Sequence, residues 1–222
     1  MLEGWGILKA MSKSSAEYNN LINLEVYKHI IENSECLDVG CWNGNLGYKL
    51  IKDKNCVVDG IDINKEGLLK AKQRGYRHTY NINFNNDKWS ISSINKNYDY
   101  IIFSDVLEHL IDPSRTLLNL KTKLKSNGRA VISIPNSVFM LQRIEYLLGK
   151  FTYNVGFSPD YTHVRFFTKK SIISLVENSG YKITNVYGYS EVKNKFFILK
   201  PLAKIFPSLF AIEFIVIAEN KP

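Results

Sequence analysis

Glu35-Cys-Leu-Asp-Val-Gly-Cys-Trp-Asn-Gly-Asn-Leu-Gly47 is the stretch whose reading decides the fold. Residues 36–39 make a short apolar run, Gly40 and Gly44 follow in a loop, and a helical pattern begins at Leu46. A strand that empties through glycines into a helix lets the backbone approach a ligand closely and leaves helix N–H groups facing it. Spacing argues against two ligand classes. A dinucleotide fingerprint counted from Gly40 needs glycines where Trp42 and Asn45 stand, and no Lys-Ser/Thr follows as a phosphate-cradling loop requires.

Working outward, further short, β-branched runs lie at 57–61, 98–103 and 130–134, separated by helical patterns at 46–52, 66–73 and 114–124. Nearly continuous apolar runs alternating with helices predict a doubly wound α/β fold, its strands buried on both faces and its ligands at their C-terminal ends. Before this core, 14–32 reads as an amphipathic helix with Leu21, Leu24, Ile30 and Ile31 on one side. After it, 137–168 is an aromatic-rich insertion expected to form a lid. A helix then starts at Thr168 as N-cap, carries Ile172, Ile173, Leu175 and Val176, and stops at Gly180. Strand-like runs at 183–189 and 210–218 fit an antiparallel pair with a long excursion, so the sheet should end mixed. The chain reads as one domain: an N-terminal helix (1–33), a cofactor-binding core (34–136), the lid, and a C-terminal helix and strands (169–222).

Composition agrees with a globular chain: of 222 residues, 45% are hydrophobic and 23% charged, enough to bury a core. No run of about 18 uncharged apolar residues offers a membrane span. The start is too charged for a secretory leader, and three cysteines (Cys36, Cys41, Cys56) without a metal-type pair suit a reducing compartment; both point to the cytoplasm. Lys and Arg number 29 against 21 acids, and the resulting +8 favours an anionic partner: nucleic acid, a phosphorylated metabolite or a membrane surface.

The glycine loop resembles the first motif of class I S-adenosylmethionine-dependent methyltransferases, D-x-G-x-G-x-G, with Asp38, Gly40 and Gly44 matching and Trp42 standing where a glycine is usual. The resemblance continues in order through Gly60-Ile-Asp-Ile63, Tyr98-Asp-Tyr-Ile-Ile-Phe-Ser-Asp-Val-Leu-Glu-His-Leu110 and Leu124-Lys-Ser-Asn-Gly128 with the strand after it, covering about half the chain. It implies a Rossmann-like, mostly parallel, seven-stranded sheet with an antiparallel C-terminal strand and helices on both faces, and S-adenosylmethionine as cofactor. The residues it implies for that cofactor are Asp38, Gly40, Trp42, Gly44, Asp62, Ile63, Asn83 and Ser104, with the Asp62 carboxylate taking both ribose hydroxyls. Carboxylates suit that task because they accept two hydrogen bonds at once. Trp42 would either stack over the cofactor edge or fill the pocket of a non-catalytic partner protein.

Methyl transfer is an in-line displacement, so an acceptor hydroxyl must be held near the methyl group and lose its proton. Asp105, Glu108 and His109 fall at i, i+3 and i+4, one face if 105–109 is helical, and His163 lies in the insertion. Two imidazoles and two carboxylates form a divalent-metal set. The set is similar to the E-x-x-E-H…H arrangement of methyltransferases acting on the terminal ribose of small RNAs and of related quinone O-methyltransferases, where magnesium polarises the acceptor hydroxyl. Asp105 in place of the first glutamate shortens that reach. Without a metal, His163, His109 and Asp105 are candidates for proton transfer, or the residues serve only to cap and pack. His29 and His78 lack acidic neighbours in sequence and read as surface or packing residues.

The insertion interleaves Arg143, Lys150, Arg165, Lys169 and Lys170 with Tyr146, Phe151, Tyr153, Phe157, Tyr161, Phe166 and Phe167, which suits a sugar, a lipid-linked phosphate or stacked bases, or else an aromatic lid packed on its own domain. Its His163-Val-Arg-Phe-Phe-Thr168 resembles members near methionine-biosynthesis W-like and glycan-modifying enzymes. The excursion 190–210, apolar with Lys195, Lys200 and Lys204, could lie on an anionic membrane or pack on the lid or a second copy, although Pro201 interrupts it. The acceptor expected is thus small, a glycan or lipid-linked, such as a quinone precursor, with RNA as the alternative.

Overall fold

A computed structural model describes residues 22–151, 153, 160–190 and 199–220. Seven strands form one sheet in the order β3-β2-β1-β4-β5-β7-β6. The strands are β1 (Glu35–Val39), β2 (Val57–Asp62), β3 (Thr79–Asn81), β4 (Tyr98–Ser104), β5 (Leu124–Pro135), β6 (Tyr181–Tyr189) and β7 (Glu213–Asn220). Pairings from β3 through β5 are parallel, whereas β7 runs antiparallel to both β5 and β6. The doubly wound sheet with its mixed end is therefore as the sequence predicts.

Alternate residues of each central strand enter different cores. Leu37, Val39, Ile101, Phe103, Ala130, Ile132 and Ile134 pack on one face. Cys36, Tyr100, Ile102 and Val131 pack on the other. Both faces are buried because the crossover helices cover them, which is why the strands read as continuous apolar runs rather than alternating ones. The helices are α1 (Leu24–Lys28), α2 (Asn45–Lys54), α3 (Lys65–Gln73), α4 (Pro113–Lys121), α5 (Met140–Leu147), α6 (Lys169–Asn178), α7 (Leu199–Ile205) and α8 (Pro207–Phe210).

Several boundaries differ from expectation. The described N-terminal helix, α1, is five residues long, capped by Asn23, whose side chain accepts the Glu25 and Val26 N–H groups. Ile30 is buried, but Leu24 and Ile31 are exposed, so the proposed apolar stripe does not hold; Leu21 and the rest of 14–21 lie outside the described residues. The helix expected at 114–124 ends at Lys121, because Leu124 already starts β5. There the register slips between Tyr98 and Tyr100, so the Lys125-Ser-Asn-Gly128 turn is a bulge within β5. Thr168 does cap α6, in a reciprocal pair with Ser171. The run at 210–218 is split, since α8 occupies its start and β7 begins at Glu213. Short β3 and helix α5 carry too weak a period to be read from sequence. Phe157 and Lys195 lie outside the described residues.

All three cysteines are free and buried. Buried Asp59 receives Arg77 through two nitrogens and the Tyr98 hydroxyl at 2.8 Å. His78 Nδ1 stands 3.3 Å from the same carboxylate, an acidic neighbour that sequence spacing hides. His29 packs against Tyr187, with ring centroids 5.1 Å apart.

Candidate active site

Two loops at the C-terminal ends of β1 and β4 meet here. Gly40 and Gly44 both take positive φ, +69° and +79°, as the glycine loop requires. Gly40 also lies so close to Val106 that an added Cβ would stand 2.5 Å from its Cγ2, so the β1 loop and the turn after β4 are in direct contact. Trp42 adopts φ +47°, and its indole is 43% exposed, so it does not fill the protein interior.

Asp62 ends β2 beside that loop. Its Oδ2 accepts the Trp42 N–H at 2.8 Å and its Oδ1 the Asn64 N–H at 2.7 Å. Each oxygen thus spends one acceptor position on the backbone and retains another, the capacity that two ribose hydroxyls need. Ile63, next to it, is exposed, and Asn83 is exposed with its side-chain oxygen accepting the Asn85 N–H. Half-buried Ser104 ends β4. Asp38 is buried, and its carboxylate accepts the Tyr76 hydroxyl at 2.6 Å. Burial pushes its pKa up to about 7.

Five N–H groups of this stretch are committed within the protein. Those of Gly40 and Cys41 donate to Ile61, Trp42 to Asp62, Gly44 to Cys41, and Gly47 to the Tyr76 hydroxyl. With these donors spent and two carboxylates beneath and beside the loop, the local field suits a cation better than a phosphate.

After β4 the chain does not form the helix that would put Asp105, Glu108 and His109 on one face. Asp105 takes φ +53°, and a 3-10 turn spans Leu107–His109. Asp105 is held by Ser133: its N–H donates to the Ser133 Oγ and its Oδ1 accepts the hydroxyl, both at 3.0 Å. Asn23 Nδ2 reaches its Oδ2 at 3.5 Å and Glu213 Oε1 at 2.6 Å.

Glu108, His109 and His163 do converge, offering ligand atoms within 4.8 Å of one another; Asp105 is outside that group. The convergence is built by backbone. The Glu108 carbonyl accepts N–H groups from Val164 and Arg165 at 2.9 and 3.0 Å, pinning the insertion to the turn. Asp160 shapes the approach to His163, accepting the Thr162 N–H and hydroxyl at 2.8 Å. His109 Nδ1 lies 3.1 Å from the Thr162 carbonyl. A carbonyl only accepts, so Nδ1 carries a proton, and Nε2 is the nitrogen turned to a metal in the arrangement usual for a metal-bound imidazole. The two imidazole rings are 4.8 Å apart and nearly perpendicular.

Glu108 is 2% exposed, and neither carboxyl oxygen has a hydrogen-bond partner among the described residues. Desolvation first, then the charge of Asp105, drives its pKa well above the carboxylate range. An orphaned buried carboxylate is costly unless a cation or donor completes it. Desolvation and neighbouring His109 lower His163 to about 4. It is therefore neutral at physiological pH, as a ligand must be. In the insertion, Phe167 is buried, whereas Tyr161 and Phe166 are exposed, as are Phe151 and Tyr153 beside a Tyr146–Phe151 ring stack of 5.2 Å.

A family model described as a methyltransferase domain matches residues 15–186. The ubiquinone biosynthesis O-methyltransferase of Coxiella burnetii is 25% identical over 185 residues, covering 80% of this chain and 79% of that protein. The Rickettsia canadensis protein of the same name is 28% identical, covering 83% and 75%. Among solved structures, a SAM-dependent methyltransferase from Archaeoglobus fulgidus superposes with a TM-score of 0.63 at 16% identity, covering 97% of this chain and 99% of that one.

Proposed function

The chain belongs to the class I S-adenosylmethionine-dependent methyltransferases, and on that premise we propose that it methylates a hydroxyl of a small or lipid-linked acceptor of the quinone-precursor or glycan kind, with a divalent cation held by Glu108, His109 and His163. The observation that carries the proposal is the orphaned Glu108 carboxylate beside two converging imidazoles. The names of the ubiquinone O-methyltransferase relatives support the acceptor class.

S-adenosylmethionine supplies an electrophilic methyl group, and a cation at this site would polarise the acceptor hydroxyl. The remaining work is done by the protein. Asp62 orients the ribose and Trp42 flanks the cofactor edge. Glu108 and the two histidines would hold that cation, and with it the acceptor oxygen, in place. His163 as a metal-free general base fits less well, because a group titrating near 4 is a weak proton acceptor at neutral pH. Two imidazoles and one carboxylate are a softer donor set than magnesium prefers, so manganese or zinc fits these residues better.

The test is a methyl-transfer assay with catechol-type quinone precursors, sugar alcohols and RNA bearing a free terminal ribose, each with magnesium, manganese, zinc or chelator. Turnover on a phenolic or sugar hydroxyl that chelator abolishes is expected. Chelator-insensitive turnover removes the metal, and turnover confined to RNA replaces the acceptor class.

Among the described residues no helix is long and apolar enough to cross a membrane. Peripheral contact through 190–210 is part of the proposal, supported by exposed Ile205 and Phe206 beside Lys204 and by exposed Leu147 and Leu148 on the neighbouring insertion. Arg143 joins the two segments, its guanidinium donating to the Ser208 carbonyl at 3.3 Å. Apolar side chains rimmed by cations suit an anionic interface. The protein should sediment with phosphatidylglycerol vesicles and stay in the supernatant with phosphatidylcholine; equal partition would remove the contact.

A further inference from the structure

We infer that Tyr76 is a positioning residue for cofactor binding, acting through the 40–47 loop, and that Asp38 serves this loop through Tyr76 instead of reading the cofactor directly; the inference rests on the assignment of S-adenosylmethionine to that loop.

Helix α2 starts with a defect. Its N-cap is Gly44, which takes positive φ and has no side chain to offer the first-turn N–H groups. Those groups have no partner within the helix, and Ser, Thr, Asp or Asn normally supplies one. Here the partner comes from elsewhere in the chain. The Tyr76 hydroxyl accepts the Gly47 N–H at 3.1 Å and donates to Asp38 Oδ2 at 2.6 Å. One phenol thus ties the end of β1, where Asp38 sits, to the first turn of α2, with the cofactor loop strung between them.

The space around the phenol has been cleared for it. Tyr76 is 2% exposed, and a Cβ on Gly44 or Gly60 would stand 2.8 or 2.9 Å from its ring, while one on Gly47 would collide with its hydroxyl. Three glycines, of which the motif resemblance assigns Gly44 to the ligand, therefore make room for this side chain. Gly40 faces Val106 rather than Tyr76 and is exposed. Gly40 and Trp42 lie on the exposed side of the loop, and Tyr76 holds its underside from the core while Arg74 donates to the Asn43 carbonyl at 2.7 Å.

The charged and titratable groups facing Asp38 are Tyr76, Asp62, Cys41 and Cys36; none is a cation. Its carboxylate titrates near neutrality, raised by burial and by Asp62 and restrained by the Tyr76 hydrogen bond. A cationic cofactor favours the ionised form, so its affinity should rise with pH through the Asp38 titration and level off above it. Removing the phenol hydroxyl removes the restraint and moves that rise to higher pH.

The experiment is calorimetric titration of S-adenosylmethionine into wild type, Tyr76→Phe and Asp38→Asn, from about pH 6 to about pH 8.5, with thermal unfolding of each protein alongside. Tyr76→Phe should weaken binding by about tenfold or more, for one lost hydrogen-bonded pair, and shift the pH profile upward. Asp38→Asn keeps an acceptor for the phenol and should flatten the profile. Wild-type affinity and profile in folded Tyr76→Phe would overturn the inference. If Tyr76→Phe does not fold, Asp38→Asn decides, and a profile like the wild type's overturns it. Absence of binding to folded wild-type protein at every pH would instead overturn the cofactor assignment itself.

Discussion

Asp62→Ala is expected to weaken S-adenosylmethionine binding by more than a hundredfold while leaving the protein folded. Two hydrogen bonds to a charged acceptor are each worth about 1.5–3 kcal/mol, so losing both removes about 3 kcal/mol or more, which is about 150-fold. The loss has a second source. Asp62 also receives the Trp42 and Asn64 N–H groups, so the same substitution frees the cofactor loop and the N-terminal approach to α3. Asp62→Asn separates the two effects: it retains one side-chain oxygen for the backbone but loses the charge and half the acceptor capacity, and should fall between wild type and Ala. Calorimetry or equilibrium dialysis measures the affinity, with unfolding followed in parallel. Wild-type affinity in Asp62→Ala would mean that another group holds the ribose.

The second large effect has opposite signs on activity and stability. Glu108→Gln keeps the shape of the side chain but removes the charge that a cation needs, and turnover should fall by about a thousandfold, the scale of losing a metal's polarisation of the hydroxyl. The metal-free protein should at the same time become more stable. Glu108 is buried without a partner, so its folded pKa is well above the unfolded value of about 4.3. The folded state therefore binds the extra proton. Its stabilisation by that proton is complete below the unfolded pKa and is lost as pH rises through the window toward the raised folded pKa. Gln has no such loss. At neutral or alkaline pH without metal the variant should melt higher by several degrees, about 1–2 kcal/mol for a domain of this size, and the two proteins should converge near pH 4. Added manganese or zinc should raise the wild-type melting temperature and leave the variant unmoved. A variant less stable than wild type at neutral pH would show that Glu108 has a structural partner in solution and would remove it from the metal site.

Sequence legibility followed the range of the interactions. Four of the five parallel strands and the positive-φ glycine loop were readable because local periodicity and spacing specify them. The Thr168 cap was readable for the same reason. The contact of Asp38 with Tyr76 was not legible, because the two lie 38 positions apart and only the fold brings them together. The convergence of Glu108, His109 and His163 was legible in residue types, but the helix assumed for 105–109 does not form, since a left-handed Asp105 interrupts it. Asp105 itself is drawn to Ser133 and Asn23, neither of which spacing can connect to it. Tyr76 carried a faint signal, the glycines it packs against, each of which has an independent reason to be there.

The position of β7 bears on how the protein assembles. Among the described residues it is the last strand in chain order but an interior strand in space, lying between β5 and β6 and bonded along its length to both. During synthesis β6 therefore emerges with no neighbour to pair with, and waits for β7 to bridge it to the sheet. Until then the nascent chain exposes two open edges, at β5 and β6, that invite pairing with other chains. Shortening the chain from its C-terminal side would remove an inner slat of the sheet rather than trim its border, and would detach β6 and α6 along with it.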